Sequence, residues 1–157
     1  MKVSEVMTKN PAWCWPSNSA LTAATIMREK DAGILPVIHD PFTTTLVGVV
    51  TDRDLCLHVI AGGRDPAHIW ISECMTEDPV CCTAEDDVLH ALELMREQQI
   101  RRLPVVNAKR EIVGIVALSD LVLKSAVADG EIAVTLRRIC EPSHEARRSV
   151  TEIVTAA

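Results

Sequence analysis

Thr51 and Asp54 place a hydroxyl and a carboxylate three residues apart in the run Gly48-Val49-Val50-Thr51-Asp52-Arg53-Asp54. Leu46 to Val50 read as the end of a buried strand, and Leu55, Leu57, Val59 and Ile60 carry the chain on as a helix. The first N–H groups of such a helix lack internal partners, so the junction can hold an anion. Thr51 adds a hydroxyl donor beside it, and Asp54 can accept from two vicinal hydroxyls. Phosphate plus diol is the outline of a nucleotide. The same Thr-x-x-Asp spacing also fits a capping box, in which both side chains satisfy the helix itself.

The elements that must position these groups occur twice. Residues 3–39 align with 71–107 at an offset of 68, with 14 identities in 37 pairs. The offset then becomes 66, so that Gly48 pairs with Gly114. The two missing residues fall between a turn at Asp40 to Thr45 and one at Ala108 to Glu111. Indels belong in surface turns, and repetition on this scale means two copies of one supersecondary unit. Each copy reads as strand, helix, strand, strand, helix. Ser19 and Asp87 are helix N-caps. Leu21, Ala24 and Met27 make the apolar stripe of one helix, and Val88, Leu92 and Met95 with Leu89 that of its counterpart. Leu35 to Ile38 and Leu46 to Val50 form an antiparallel pair, matched by Leu103 to Val106 and Ile112 to Val116. Neither copy can bury its strands alone, so an α/β (α+β) fold is expected, two β-α-β-β-α motifs packed sheet to sheet. The expected divisions are 1–62 and 71–128 for the motifs, 63–70 for a linker, and 129–157 for a terminal helix and tail. Ile132, Leu136 and Ile139 give that last helix its spacing.

Composition narrows the function. The chain has 157 residues, 48% hydrophobic and 24% charged, enough for a substantial core. Aromatics are Trp13, Trp15, Trp70 and Phe42 alone, and the formal charge is −6. Stacking platforms and a broad basic footprint are both missing, so nucleic acid is not an expected partner. No run of about 18 apolar residues predicts a membrane span. No apolar stretch follows Lys2, so an export signal is not expected. Six cysteines without an export signal then read as reduced thiols of a cytoplasmic protein. Neither Cys-x-x-Cys nor a clustered set of histidines occurs, so no metal or catalytic constellation is expected.

The Met-Thr openings, the Leu-Pro-Val strands and the Gly-h-h-Thr-x-x-Asp junction (h, apolar) together resemble a CBS-domain pair, named after cystathionine beta-synthase. The likeness covers about residues 1–128 and is to small bacterial stand-alone tandem-CBS proteins. It implies two motifs related by a pseudo-two-fold axis, a homodimer, and a cleft for AMP, ADP, ATP or S-adenosylmethionine. It implies a module that binds and regulates through an unknown protein partner, not an enzyme, and no required cofactor. By that resemblance Thr51 meets phosphate and Asp54 the ribose, with Arg53 between them. The adenine wall comes from the other copy: Thr76, Val80, Cys81, Ile100 and Arg101. A second site would use Asp120 with Arg102, against Thr8, Ala12, Trp13, Ala32 and Gly33. It departs from the pattern, because Ala117 stands where the hydroxyl belongs. Trp13 can stack on a base there or fill the slot. The alternative reading is a homodimeric scaffold whose clefts are vestigial.

Overall fold

Two β-hairpins carry the apolar repeats. In the computed structural model, which describes residues 1–124 and 127–142, strand β2 (Ile34–Ile38) pairs antiparallel with β3 (Leu46–Thr51). Strand β6 (Arg102–Val106) pairs in the same way with β7 (Ile112–Ala117). The register shifts at Val37/Ile38 in one hairpin and at Val105/Val106 in the other, the same place in both repeats.

Neighbouring side chains on a strand point to opposite faces. Leu35, Val37 and Val50 therefore join a core beneath helix α2 (Ala20–Lys30), while Ile34, Ile38 and Val49 face the other sheet, and the register shift turns Leu46 to that face as well. There they meet Val106, Ile112 and Ile115, with Trp13, Trp15 and Cys81 packed alongside. Both faces of each hairpin are buried, which is why its strands read as unbroken apolar runs. The expected sheet-to-sheet packing is observed. Backbone bonds also stitch the two sheets together, from Leu46 N–H to the Arg110 carbonyl at 2.9 Å and from Ile112 N–H to the Thr44 carbonyl at 3.0 Å.

The opening segments are exchanged. Helix α1 (Val3–Val6) belongs to the first repeat in sequence, yet Val3 and Val6 pack with Leu92, Met95 and Leu103 of the second. Strand β1 (Thr8–Lys9) pairs with β7. Reciprocally, the 3-10 turn Ile71–Glu73 buries Ile71 in the first core, and strand β4 (Thr76–Glu77) pairs with β3. The sheets are thus β2-β3-β4 and β1-β7-β6-β5, with β5 (Cys82–Thr83) parallel to β6. Gly48 and Gly114 permit the close approach. A Cβ on Gly48 would lie 2.9 Å from the Thr76 carbonyl oxygen, and one on Gly114 would lie 2.5 Å from Met7 Sδ.

Helices α2 and α4 (Val88–Gln98) start where the caps predict. Ser19 Oγ accepts from Thr22 N–H at 3.1 Å, and Asp87 Oδ1 from Leu89 N–H at 2.9 Å. The stripe of α2 is rotated from the expected one. Ala20, Ala23 and Met27 are buried, while Ala24 and Leu21 are exposed, as is Leu89 in α4. Small alanines let α2 sit close to its sheet and push Leu21 to the outer edge. After α3 (Asp52–Leu55) the helix widens into a π-turn over Cys56–Ile60, burying Leu55 and Val59 and exposing Leu57 and Ile60. The second repeat closes with α5 (Leu118–Lys124), and α6 (Asp129–Cys140) follows outside the repeat. The expected tail lies, from residue 143 on, outside the described residues.

Candidate functional site

Strand β3 delivers Thr51 to the start of α3, where hydroxyl and carboxylate form a reciprocal cap. Asp54 N–H donates to Thr51 Oγ1 at 3.2 Å, while the Thr51 N–H and hydroxyl donate to Asp54 Oδ2 at 2.8 and 2.7 Å. Both side chains are half-buried and both line a cleft of about 920 Å³. That volume lies within the span of small-molecule sites, about 300–1,000 Å³. The capping box and the cleft therefore coexist.

The first repeat contributes Ile34, Val49 and Thr51 to Asp54; the second contributes Thr76, Asp78 to Val80, Gln98 to Arg102, and Pro104. Of the first-site residues, Thr51, Arg53, Asp54, Thr76, Val80, Ile100 and Arg101 come together on this lining. Cys81 lies outside it, against the intersheet core, where its thiol donates to the Pro79 carbonyl at 3.2 Å. Thr76 reaches the cleft because β4 is exchanged onto β3 opposite Val49.

Three guanidinium groups share the cleft: Arg53, Arg101 and Arg102. None forms an ion pair with a carboxylate among the described residues, whereas Arg110 is held by Asp78 at the rim. Asp54 holds its cap through Oδ2. An arginine without a carboxylate is free to offer its fork of donors to a phosphate. Arg102 takes the place that Ile34 has in the first repeat, so the two halves differ in charge at this point. A Cβ on Gly33 would stand 2.9 Å from Arg102 Nη2, so the absence of a side chain there leaves room for the guanidinium.

The residues of the second set take the following places. Asp120 accepts from Ala117 N–H at 2.9 Å and is bridged by Lys124 Nζ at 2.7 Å. Lys124 in turn donates to the Val6 carbonyl at 3.1 Å. Thr8 is exposed on β1. Ala12 and Ala32 pack against the first core. Trp13 lies with its centroid 5.5 Å from that of Trp15, and both pack on the intersheet core. Trp15 Nε1 is buried without a partner among the described residues. Arg102 and Gly33 adjoin the Thr51 cleft.

Ala117 cannot accept from the N–H of Asp120 as Thr51 does from that of Asp54. Ala117→Thr is expected to complete the second capping box and raise stability by about 0.5–2 kcal/mol in urea unfolding. An unchanged or lower midpoint would contradict this expectation.

Spacing did not single out Gln98, Gln99, Asp78 or Ile139, which also line the cleft. The glutamines directly precede Ile100, and that adjacency was the one signal for them. Ile139 lies outside the repeat and had none beyond its helical spacing. Burial pushes the Cys14 and Cys82 thiols up to about 12, which keeps them protonated near neutrality. No metal-binding group of histidine, cysteine or carboxylate occurs among the described residues, and no helix among them is long and apolar enough to cross a membrane.

The model of the CBS domain matches this chain twice, over residues 3–61 and 71–126. The chain belongs to the CBS-domain family. As a CBS pair it is 39% identical to the uncharacterized protein YlbB of Bacillus subtilis, over 78% of this chain and 80% of YlbB. Among solved structures it is similar to CBSX2 in complex with AMP, with a TM-score of 0.67 at 29% identity, covering 77% of this chain and 93% of that one. It is similar also to the CBS pair of protein MJ0100, in complex with 5'-methylthioadenosine and S-adenosylmethionine. That match has a TM-score of 0.67 at 28% identity and covers 78% and 93% of the two chains. Adenosine compounds are therefore bound by relatives that share this CBS-pair fold.

Proposed function

We propose that this CBS pair is a regulatory module that binds an adenosine nucleotide in the Thr51 cleft and signals its occupancy to a protein partner. The observation that carries the reading is the meeting of the Thr51–Asp54 cap with three guanidinium groups, none of them in an ion pair with a carboxylate among the described residues. Phosphate goes to Thr51, Arg53 and Arg102, the ribose to Asp54, and the base to the apolar wall of Val80 and Ile100. Arg101 stands at the rim. The AMP and S-adenosylmethionine complexes of similar CBS pairs support an adenosine-type ligand. Binding across two repeats can regulate only when the ligand favours one arrangement of them over another.

A homodimer is part of this proposal. Leu21 and Leu89 are exposed at equivalent places of the two repeats, and so are Leu57 and Leu123. Paired apolar side chains on a monomer surface fit a self-complementary contact. Light scattering that gives a monomer at all concentrations would remove it.

The test is titration calorimetry of the full chain with AMP, ADP, ATP, S-adenosylmethionine and NADH. Arg102→Gln is expected to weaken a phosphorylated ligand about tenfold, through loss of a charge-assisted contact, and to leave S-adenosylmethionine nearly unchanged. If none of the adenosine compounds binds, the sensor reading fails and the scaffold reading takes its place.

A further inference from the structure

We propose that helix α6, which lies outside the CBS repeats, is a wall of the nucleotide cleft: Ile139 closes against the base, and an occupied cleft locks the end of α6. This rests on the nucleotide reading of the Thr51 cleft.

Ile139 is the residue of α6 that lines the cleft, beside Gln98 to Arg102. It also packs, with Ile132, on the core of the second repeat, so its side chain joins that core to the cleft. Val80, Ile100 and Ile139 bring apolar groups from three separate segments to one lining. A purine face gains by removing such groups from water, and Ile139 is the part of that surface that a CBS motif does not itself supply.

Two sets of bonds hold α6, and they differ in what they depend on. Its body is anchored to α4. Arg96 Nε and Nη2 donate to Thr135 Oγ1 at 3.3 and 3.0 Å, and Arg96 pairs with Glu131 at 2.9 Å. Thr135 is fully buried there. Its C-terminal end is anchored instead to the cleft loop. Gln99 Nε2 donates to the Arg138 carbonyl at 2.8 Å and the Glu141 carbonyl at 3.0 Å, which satisfies carbonyls that a helix end leaves open. Arg101 Nη2 lies 3.8 Å from Cys140 Sγ. Gln99 has a φ of 52°, the left-handed turn that ends α4 and aims this loop at both neighbours.

Gln98 to Arg101 thus line the cleft, and Gln99 and Arg101 among them clasp the end of α6. A ligand that orders Ile100 and Arg101 orders the clasp, and one that covers Ile139 holds the last turn directly. No comparable helix follows the first repeat, where the chain runs from the π-turn into the linker. The device therefore serves one side of the pseudo-symmetric pair.

Hydrogen exchange on the full wild-type chain tests this, without and with saturating AMP, ATP or S-adenosylmethionine. The ligand that binds is expected to slow exchange about tenfold at residues 136–141 and to leave 129–135, held by Arg96, nearly unchanged. In calorimetry with that ligand, Ile139→Ala is expected to bind about three- to tenfold more weakly, in line with lost apolar contact. Ile139→Val, which retains most of the packing, should fall between it and wild type. If wild type binds, Thr51→Ala is impaired, and Ile139→Ala still binds within twofold of wild type, the wall is refuted while the nucleotide reading stands. Unchanged exchange at 136–141 in the bound wild-type chain refutes the wall equally. If wild type binds none of the three, both readings fall together.

Discussion

Replacing Asp54 with alanine is expected to weaken AMP binding tenfold or more, about 1.4 kcal/mol or above. Thr51→Ala should do the same. Each change also removes half of the reciprocal cap of α3, so each lowers the stability of the free protein by about 0.5–2 kcal/mol. The two effects separate in Thr51→Ser, which keeps the hydroxyl, the cap and the donor to phosphate. Its affinity should stay within about threefold of wild type, since the hydrogen-bonding group is retained. Calorimetry gives the affinities, and thermal unfolding of the free variants gives the caps. If both alanine variants melt lower but bind AMP as wild type does, Thr51 and Asp54 are a helix cap and nothing more.

The second large effect concerns the exchanged segments. Ile71→Ala is expected to cost about 2–5 kcal/mol, the range for a large aliphatic side chain deleted from a packed core. Ile71 is fully buried and packs among Cys14, Ala20, Leu35 and Val50. It is numbered with the second repeat but supports the first. The loosening should therefore appear as faster hydrogen exchange in β2 and β3, with β6 and β7 affected only as far as global unfolding falls. Faster exchange confined to β6 and β7 would contradict the exchange of openings. The consequence for function is direct. Residues 71–77 carry Thr76 to the cleft, so damage at Ile71 reaches the cleft lining as well as the core.

Cleft and cap also bear on the proposed binding. Thr51 and Asp54 satisfy each other, so neither group is stranded in its half-buried setting. A ligand bearing phosphate has to outcompete an internal hydrogen bond, but it does not have to displace an ion pair.

What the sequence by itself determined is local or repeated. The two hairpins, the caps at Ser19 and Asp87, and the strand-to-helix junction at Thr51 follow from apolar runs, turn residues and hydrogen-bonding side chains within a few positions of one another. The sheet-to-sheet packing followed as well, because strands apolar on both faces have to be covered twice. Tertiary structure decided the rest. Nothing in Val3, Val6 or Ile71 says which of two similar cores each will fill, since both cores have the same chemistry and only chain reach and sheet register choose between them. The rotated stripe of α2 was missed for a related reason. Ala20, Ala23 and Ala24 are nearly interchangeable by hydrophobicity, and the depth of the groove beneath selects the face. Arg102 and Ile139 came to the Thr51 cleft through the docking of distant elements, a matter of long-range geometry that no periodicity encodes.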